Sequence, residues 1–224
     1  MTIALKMINV SAAGHIFELP LQSRLLRFLN WEAYDQRVHQ SPKFDIANLS
    51  LSVELSKTLY CSGSANSRLA FISIIDGEIR PISGEIRKEC PVFTSSLVKS
   101  YLLENRMKTV GHVAVRFLDE VAGYPFGSLR NIEDVLASAD LLSLSYAKVK
   151  TLSISEVQLL AMALLIHSAG ACIVVQLDEF DSLGNIGKFM RHEMIIKCSS
   201  SAKIFLGEGS LPRWLTADEE IILL

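Results

Sequence analysis

Two adjacent carboxylates, Asp178 and Glu179, are the residues whose type and position best suit chemistry. They follow a short β-rich apolar run, which comes after an apolar helical run and a small-residue break at 169–170. This order predicts a helix and then a buried parallel strand whose carboxyl end carries both acids. In an open α/β sheet, ligands bind at that edge. Taken alone, the pair is more typical of solvated residues that begin a loop, so its meaning depends on the elements around it.

A stretch of small residues at 62–67 lies between a predicted strand at 58–61 and an apolar helix at 69–75. Such a loop, placed between a strand and a helix, can present backbone N–H groups to a phosphate. Turns rich in Ser, Gly and Asn are nevertheless common in proteins, so the stretch by itself is a weak signal.

Other residues that could bind a metal or act as nucleophiles form no recognisable motif. His192 and Glu193 lack the second histidine of a zinc-protease helix, so we assign them no metal. No two cysteines have the spacing of a zinc pair, which favours buried free thiols in a reducing compartment. The four cysteines are Cys61, Cys90, Cys172 and Cys198.

The composition restricts the class of protein. The chain has 224 residues, of which 50% are hydrophobic and 21% charged, so we expect one domain with a large core. A net charge of −2 does not favour nucleic acid as a partner. The mean hydropathy of +0.31 is high for a free soluble protein and points to burial against a partner or a position beside a membrane. The first residues lack a signal-peptide pattern, which predicts a cytoplasmic protein.

Hydrophobic periodicity predicts an α/β fold. Alternation predicts a strand at 46–55, and residues 1–10 are typical of an edge strand. Helical spacing dominates 95–142, with a break around 123–125, and a later helix is expected at 186–198 with short strands at 203–206 and 220–223. Strand–loop–helix units on both sides of a helical insert indicate a single domain, residues 1–224, with an inserted α-helical subdomain at approximately 95–152.

One stretch could be mistaken for a membrane span. Residues 157–175 contain no Asp, Glu, Lys or Arg over about the length that a bilayer requires. His167, Ser168 and Gly170 interrupt the stretch, and its last part is β-rich. A helix followed by a buried strand explains it better, because parallel strands covered on both faces read as continuous apolar runs.

Taken together, four segments resemble in order the ATP-binding domains of ABC transporters, and most closely those that export capsular polysaccharide or O-antigen. The order and spacing of the segments carry the resemblance, which covers about residues 45–224 and implies a P-loop-NTPase-like sheet core with an antiparallel β edge. The segments are 62–86, which resembles a Walker A loop, its helix and the "RPTSGEI" strand start; 136–152, which precedes the signature motif; 173–185 (IVVQLDEFDSLGN), which resembles the Walker B strand; and 203–209, which falls where the family has a strand and a switch histidine.

The resemblance implies roles for individual residues. Asp178 matches the carboxylate linked to Mg²⁺, and Glu179 matches the general base that orients the attacking water. The residues that would face ATP in this reading are Ser64, Asn66, Arg68 and Ser153.

The phosphate loop departs from the family pattern at several positions. Arg68 replaces the Walker A lysine with a bulkier, forked cation, and Leu69 stands where a hydroxyl should bind Mg²⁺. Ala65 and Ser67 replace glycines, although the loop favours residues without Cβ.

The signature and switch motifs also differ. Ser153 is kept, but both signature glycines are lost, and Glu156 puts negative charge where a partner's γ-phosphate would lie. Asn185 stands for the D-loop aspartate, and Glu208 for the switch histidine if that position is kept at all.

These departures predict a degenerate ABC ATPase-like subunit in which binding of ATP and Mg²⁺ is weak or lost. Such a subunit would dock on the membrane permease of an ABC transporter and lie peripherally on the inner membrane. It would form a homodimer, or a heterodimer with an active ATPase paralogue. Two alternatives stay open: a functioning ATP-binding subunit with a divergent phosphate loop, and a scaffolding or regulatory protein without a transport partner.

Overall fold

The computed structural model describes residues 2–15, 43–121, 129–168 and 170–223, and their strands form two sheets. The strands are β1 (Ile3–His15), β2 (Lys43–Glu54), β3 (Thr58–Gly63), β4 (Ser83–Lys88), β5 (Val92–Thr94), β6 (Cys172–Gln176), β7 (Ala202–Gly207) and β8 (Glu219–Leu223). The α-helices are α1 (Ala65–Asp76), α2 (Ser95–Glu104), α3 (Val110–Arg116), α4 (Leu129–Ser138), α5 (Ile154–Ile166), α6 (Leu177–Asp181) and α7 (Gly184–Lys197). A π-helical turn (Phe117–Val121) continues α3, and two 3₁₀ turns (Leu142–Leu144 and Val149–Thr151) precede α5.

The first sheet is antiparallel, with the strand order β2–β1–β4. The prediction of an edge strand at 1–10 is wrong, because β1 lies in the centre and pairs with both neighbours. Apolar residues such as Leu5, Met7 and Val10 are buried, as a half-covered strand requires. Their pattern reports which face of a strand is covered, and it carries no information on how many strands pair with it.

The second sheet is parallel, with the strand order β5–β6–β7–β3–β8. β6 and β7 are buried along nearly their whole length, which explains their uninterrupted apolar sequences. Because all five strands run the same way, their carboxyl ends meet at one edge of the sheet. The predicted α/β fold, with a parallel core and an antiparallel sheet, is confirmed.

Four α-helices of the described residues, α2 to α5, lie in the chain between β5 and β6, and we call them the helical region. Their shared core includes Phe117, whose ring centroid lies 5.6 Å from that of Phe93 and 5.3 Å from that of Tyr101. The helical prediction for 95–142 is confirmed in α2, α3 and α4, and the predicted break at 123–125 lies outside the described residues.

The apolar stretch at 157–175 forms most of α5 and then β6, as predicted. All the residues of α5 from Leu159 to Ile166 are buried, because α5 packs between the other helices of the helical region and the parallel sheet. In the described part of the chain, no helix combines the length and the apolar character needed to cross a bilayer.

Candidate functional site

The carboxyl end of β3 passes into α1 through a single residue. The predicted loop at 62–67 is much shorter in the structure, since Ser62 and Gly63 end β3 and α1 begins at Ala65. Ser64 is the N-cap of α1: its Oγ accepts a hydrogen bond from the Ser67 N–H at 3.1 Å. Serine is a favoured N-cap residue because its hydroxyl satisfies a free N–H of the first turn. The local sequence therefore starts a helix where a phosphate loop would need several more residues.

The junction also lacks the backbone conformation that surrounds phosphate. No residue from 58 to 76, all of which the structure describes, has a positive φ. A Cβ at Gly63 would lie 2.9 Å from the Leu223 Cβ, so this glycine serves the close approach of β8. A nest of N–H groups for an anion depends on residues in the left-handed region, and none is present here. Asn66 lies half-buried in the first turn of α1.

Arg68 and Asp178 form an ion pair at the carboxyl edge of the sheet. The Arg68 guanidinium donates to the Asp178 Oδ2 at 2.7 Å and to the Gly63 carbonyl at 2.9 Å. Only 3% of the Arg68 side chain is exposed, compared with 60% for Asp178. The junction between β3 and α1 thus lies beside the start of α6, which carries Asp178.

Both acids lie in the first turn of α6 and not at the end of β6, which stops at Gln176. A carboxylate in the first turn of a helix is stabilised by the free N–H groups and by the positive end of the helix dipole. This preference ends the strand two residues earlier than the sequence pattern predicted.

Glu179 is paired with a second cation, Lys99 of α2. The Lys99 Nζ donates to the Glu179 Oε1 at 2.8 Å, and the two side chains are 17% and 16% exposed. The other carboxylate oxygen, Oε2, is buried without a hydrogen-bond partner among the described residues. Gln158 of α5 also donates from Nε2 to the Glu179 backbone carbonyl. Sequence reasoning missed Lys99, although it is the one cation in the α2 sequence.

The two ion pairs account for all the charge that these residues would bring to a nucleotide. Arg68 and Lys99 neutralise Asp178 and Glu179, and neither pair leaves a net positive charge for phosphate. Leu69, which follows Arg68, has no oxygen with which to bind Mg²⁺. The residues present therefore fit ATP with Mg²⁺ poorly.

Ser153 and Glu156 form a capping box at the start of α5. The Ser153 Oγ accepts from the Glu156 N–H at 3.3 Å, and the Ser153 N–H donates to the Glu156 Oε2 at 2.6 Å. The Ser153 backbone N–H and, to a smaller extent, the Ser153 hydroxyl hold the pKa of the Glu156 carboxyl below its usual range. Ser153 thus bonds within its own helix, as the S-x-x-E pattern explains.

The two remaining matched residues lie on the surface. Asn185 is exposed in the first turn of α7, and Glu208 is exposed directly after β7. Near Glu208, the hydroxyl of the buried Tyr60 donates to the Gly209 carbonyl at 3.1 Å and fixes the start of the following loop.

No protein-family model matches the sequence, and neither does any curated protein. Solved structures do share the fold. A chain described as an ABC transporter ATP-binding protein from Pyrococcus furiosus has a TM-score of 0.64 at 13% identity, covering 98% of this chain and 96% of that one. A metal-chelate-type ABC transporter in an inward-facing conformation has a TM-score of 0.60 at 14% identity, covering 99% of this chain and 80% of that one.

A third structure, an ATP-binding cassette of an ABC transporter in its ADP conformation, has a TM-score of 0.57 at 13% identity. It covers 100% of this chain and 88% of that one. Likeness at such low identity shows the fold alone. The chain has the fold of the ATP-binding domains of ABC transporters.

Proposed function

We propose that this chain is an ABC ATPase-like subunit that no longer hydrolyses ATP and acts by docking on a membrane permease or on an active ATPase partner. The observation that carries the proposal is the pair of ion pairs, Arg68–Asp178 at 2.7 Å and Lys99–Glu179 at 2.8 Å. Catalysis of phosphoryl transfer depends on positioning and on neutralising phosphate charge, so residues that neutralise each other cannot supply it.

Nucleotide binding would require both pairs to open. Mg²⁺ at Asp178 would displace Arg68, whose guanidinium is buried and would lose its only described carboxylate. Glu179 could orient a water only after its ion pair with Lys99 opened. Both side chains are mostly buried, so opening would leave the Lys99 ammonium without a counter-charge. Charges left unpaired in such surroundings are costly, so the ion-paired state is the stable one.

Export of polysaccharide or glycolipid is the transport process that we assign to this subunit. The support is the sequence resemblance at 80–86 and 136–152. The permease would bind the exposed face of the helical region, and the subunit would pair with itself or with an active paralogue. Reversing the charge of the exposed Glu133 and Asp134 on α4 tests the docking, since co-purification with the permease should be lost. Unchanged co-purification would contradict it.

The decisive measurement is a calorimetric titration of the purified chain with ATP, with and without Mg²⁺. We expect no saturable binding below roughly 1 mM in either condition, because Arg68 and Lys99 are already paired with the two acids that would serve Mg²⁺ and water. The variant Arg68→Lys, which restores a lysine without restoring the loop, should behave like the wild type. ATP hydrolysis at a rate typical of transport ATPases would overturn the proposal.

A functioning ATP-binding subunit with a divergent loop is the second candidate. It is favoured by the position of Asp178 and Glu179 at the carboxyl edge of the sheet and by the 60% exposure of the Asp178 side chain. Micromolar, Mg²⁺-dependent binding in the same titration would select it. A scaffolding protein without a transport partner is the third candidate, and co-purification with a permease would exclude it.

A further inference from the structure

Two neighbouring segments of the helical region, residues 105–118 and 141–155, contain cations but no Asp or Glu. Hydrogen bonds join their backbones: the Val110 N–H donates to the Ala147 carbonyl, and the Lys150 N–H donates to the Arg106 carbonyl, each at 2.9 Å. Thr109 and Lys148 form an antiparallel bridge between them. This pairing places the backbones that carry cations from both segments side by side.

The cations of this surface are Arg106, Lys108, Lys148 and Lys150, which we call the basic patch. The three lysines are exposed, and Arg106 is half-buried. Within the described ranges, none of the four forms an ion pair or a side-chain hydrogen bond. Although the whole chain carries −2, no described carboxylate forms an ion pair with any member of the basic patch.

Four large apolar or aromatic side chains of the same two segments are exposed. Ile154, in the first turn of α5, is 68% exposed. Tyr146 is 91% exposed, Met107 is 56% exposed, and Leu142 is 48% exposed. Val110 and Val149, which lie between the exposed positions, are buried and anchor the two segments to the core. The surface therefore combines unpaired cations with exposed apolar side chains, and buried valines connect it to the core.

We infer that the basic patch, together with Met107, Leu142 and Tyr146, binds the anionic surface of a phospholipid bilayer. Clustered lysine and arginine side chains are attracted to anionic headgroups, and tyrosine favours the level of the headgroups. The chemistry favours lipid over an acidic protein segment. Three of the four cations are lysines, point charges on flexible stems, whereas carboxylates are matched best by the fork of arginine.

The shape of the surface supports the same occupant. A protein partner is usually anchored by an aromatic side chain that fills a pocket. Here Tyr146 protrudes almost fully into solvent, which suits insertion into a soft interface. The basic patch lies outside α4, whose charge reversals test permease docking, so contact with lipid goes beyond the proposed function and can hold or fail independently of it.

Co-sedimentation of the full chain with vesicles tests the inference. We expect binding to phosphatidylcholine vesicles that contain phosphatidylglycerol, no binding to phosphatidylcholine alone, and weaker binding as salt is raised. The triple variant Lys108→Gln, Lys148→Gln, Lys150→Gln should bind anionic vesicles on the order of 100-fold more weakly.

A matched triple variant controls for total charge. Arg80→Gln, Lys188→Gln, Arg213→Gln removes three charges from exposed positions outside the basic patch, for which no described ion pair exists. It should bind anionic vesicles like the wild type. Equal losses in the two triple variants would overturn the inference, because binding would then follow net charge and not this surface.

The substitution Tyr146→Ser leaves every charge in place and should still weaken binding, since it removes the side chain that enters the interface. Thermal unfolding of each variant checks that the fold is kept. If the wild type does not bind anionic vesicles but binds polyglutamate or duplex DNA through the same lysines, the inference is wrong. The basic patch would then be a binding site for an acidic macromolecule.

Discussion

Arg68 is buried against a carboxylate that water still reaches, so the two members of this ion pair differ in what they lose when it breaks. Released from Asp178, Arg68 would keep only the Gly63 carbonyl as a described partner, and its Nε is already without one. Asp178, at 60% exposure, would be hydrated by solvent. Most of the free-energy cost of breaking the pair therefore comes from Arg68, which would stay buried without a counter-charge.

Asp178→Asn should lower the free energy of unfolding by about 1–3 kcal/mol, because it leaves a buried guanidinium without a counter-charge. The double variant Arg68→Met, Asp178→Asn should recover part of this loss, since no unpaired charge stays buried. Asp181→Asn is the control: its ion pair with Arg191 is 3.7 Å long and its side chain is 71% exposed. Urea unfolding measures all three, and a control as costly as Asp178→Asn would contradict the explanation.

Lys203 is a second buried cation, and it has no described counter-ion. Its Nζ donates to the carbonyls of Cys198 at 2.9 Å and Ser201 at 3.0 Å. Burial lowers the pKa of Lys203 from its ordinary value of 10.5. Between the lowered pKa and 10.5, the unfolded chain binds more protons at this residue than the folded chain, so the contribution of Lys203 to stability rises with pH.

The variant Lys203→Met removes this titration along with both hydrogen bonds. The free energy of unfolding of the wild type, relative to that of the variant, should increase as the pH rises towards 10.5. Chemical unfolding of both proteins across the alkaline range measures the difference. A difference that stays constant or falls with pH would show that burial does not lower the pKa of Lys203.

At the scale of elements, the start of α5 shows that a residue matching a family motif can have a purely local role as a helix cap. Ser153 begins the helix through a capping box with Glu156. The same serine occupies the place of the signature serine in the resemblance to ABC ATPases. A cap requires no second subunit and no nucleotide, so its effect must be visible in the isolated chain.

Ser153→Ala should cost about 1 kcal/mol of unfolding free energy in the absence of nucleotide, since an N–H of the first turn loses its acceptor. Ser153→Asn keeps an acceptor at the N-cap and should retain most of the stability. Ser155→Ala, which changes an exposed neighbour, serves as the control in the same urea experiment. If Ser153→Ala has no effect without nucleotide, the cap is not what the serine contributes.

At the scale of the whole molecule, the carboxyl edge of the parallel sheet is tied to the helical region by side chains. Lys99 of α2 holds the Glu179 carboxylate, and Gln158 of α5 holds the Glu179 backbone carbonyl and the Ser182 hydroxyl. These contacts attach the helical region to the sheet.

Lys99→Met should loosen this attachment and speed hydrogen exchange in α2 and α6 by lowering the local opening free energy by about 1–2 kcal/mol. Lys57→Met, which breaks an exposed ion pair with Asp218, should leave exchange in both helices unchanged. Adding ATP and Mg²⁺ to the wild type should alter neither helix. Protection of α2 by nucleotide would argue for the functioning ATPase instead.

Much of the architecture was predictable because it depends on local patterns. Alternation located β2, the sequence also predicted β3 and the short final strands, and the small-residue break at 169–170 separated α5 from β6. Pairing was less predictable. β1 lies in the centre of its sheet because β4, a largely exposed strand with a weak pattern, covers its second side.

The position of the site was predictable from the sequence, but the length of its loop and its ion pairs were not. The order of segments placed Arg68 and Asp178 together, but the length of the loop before α1 was overestimated because Ser64 caps the helix so early. Lys99 could not be matched to Glu179 from sequence, since 80 residues and several elements separate them.

The order of strands and helices and the acids beside a buried strand are properties of the sequence itself, because each depends on neighbours along the chain. Only the tertiary structure decided that both acids are paired with protein cations and that two segments carrying four other cations lie side by side. Charge pairing depends on distance in space, and the fold brings together residues that the sequence keeps apart.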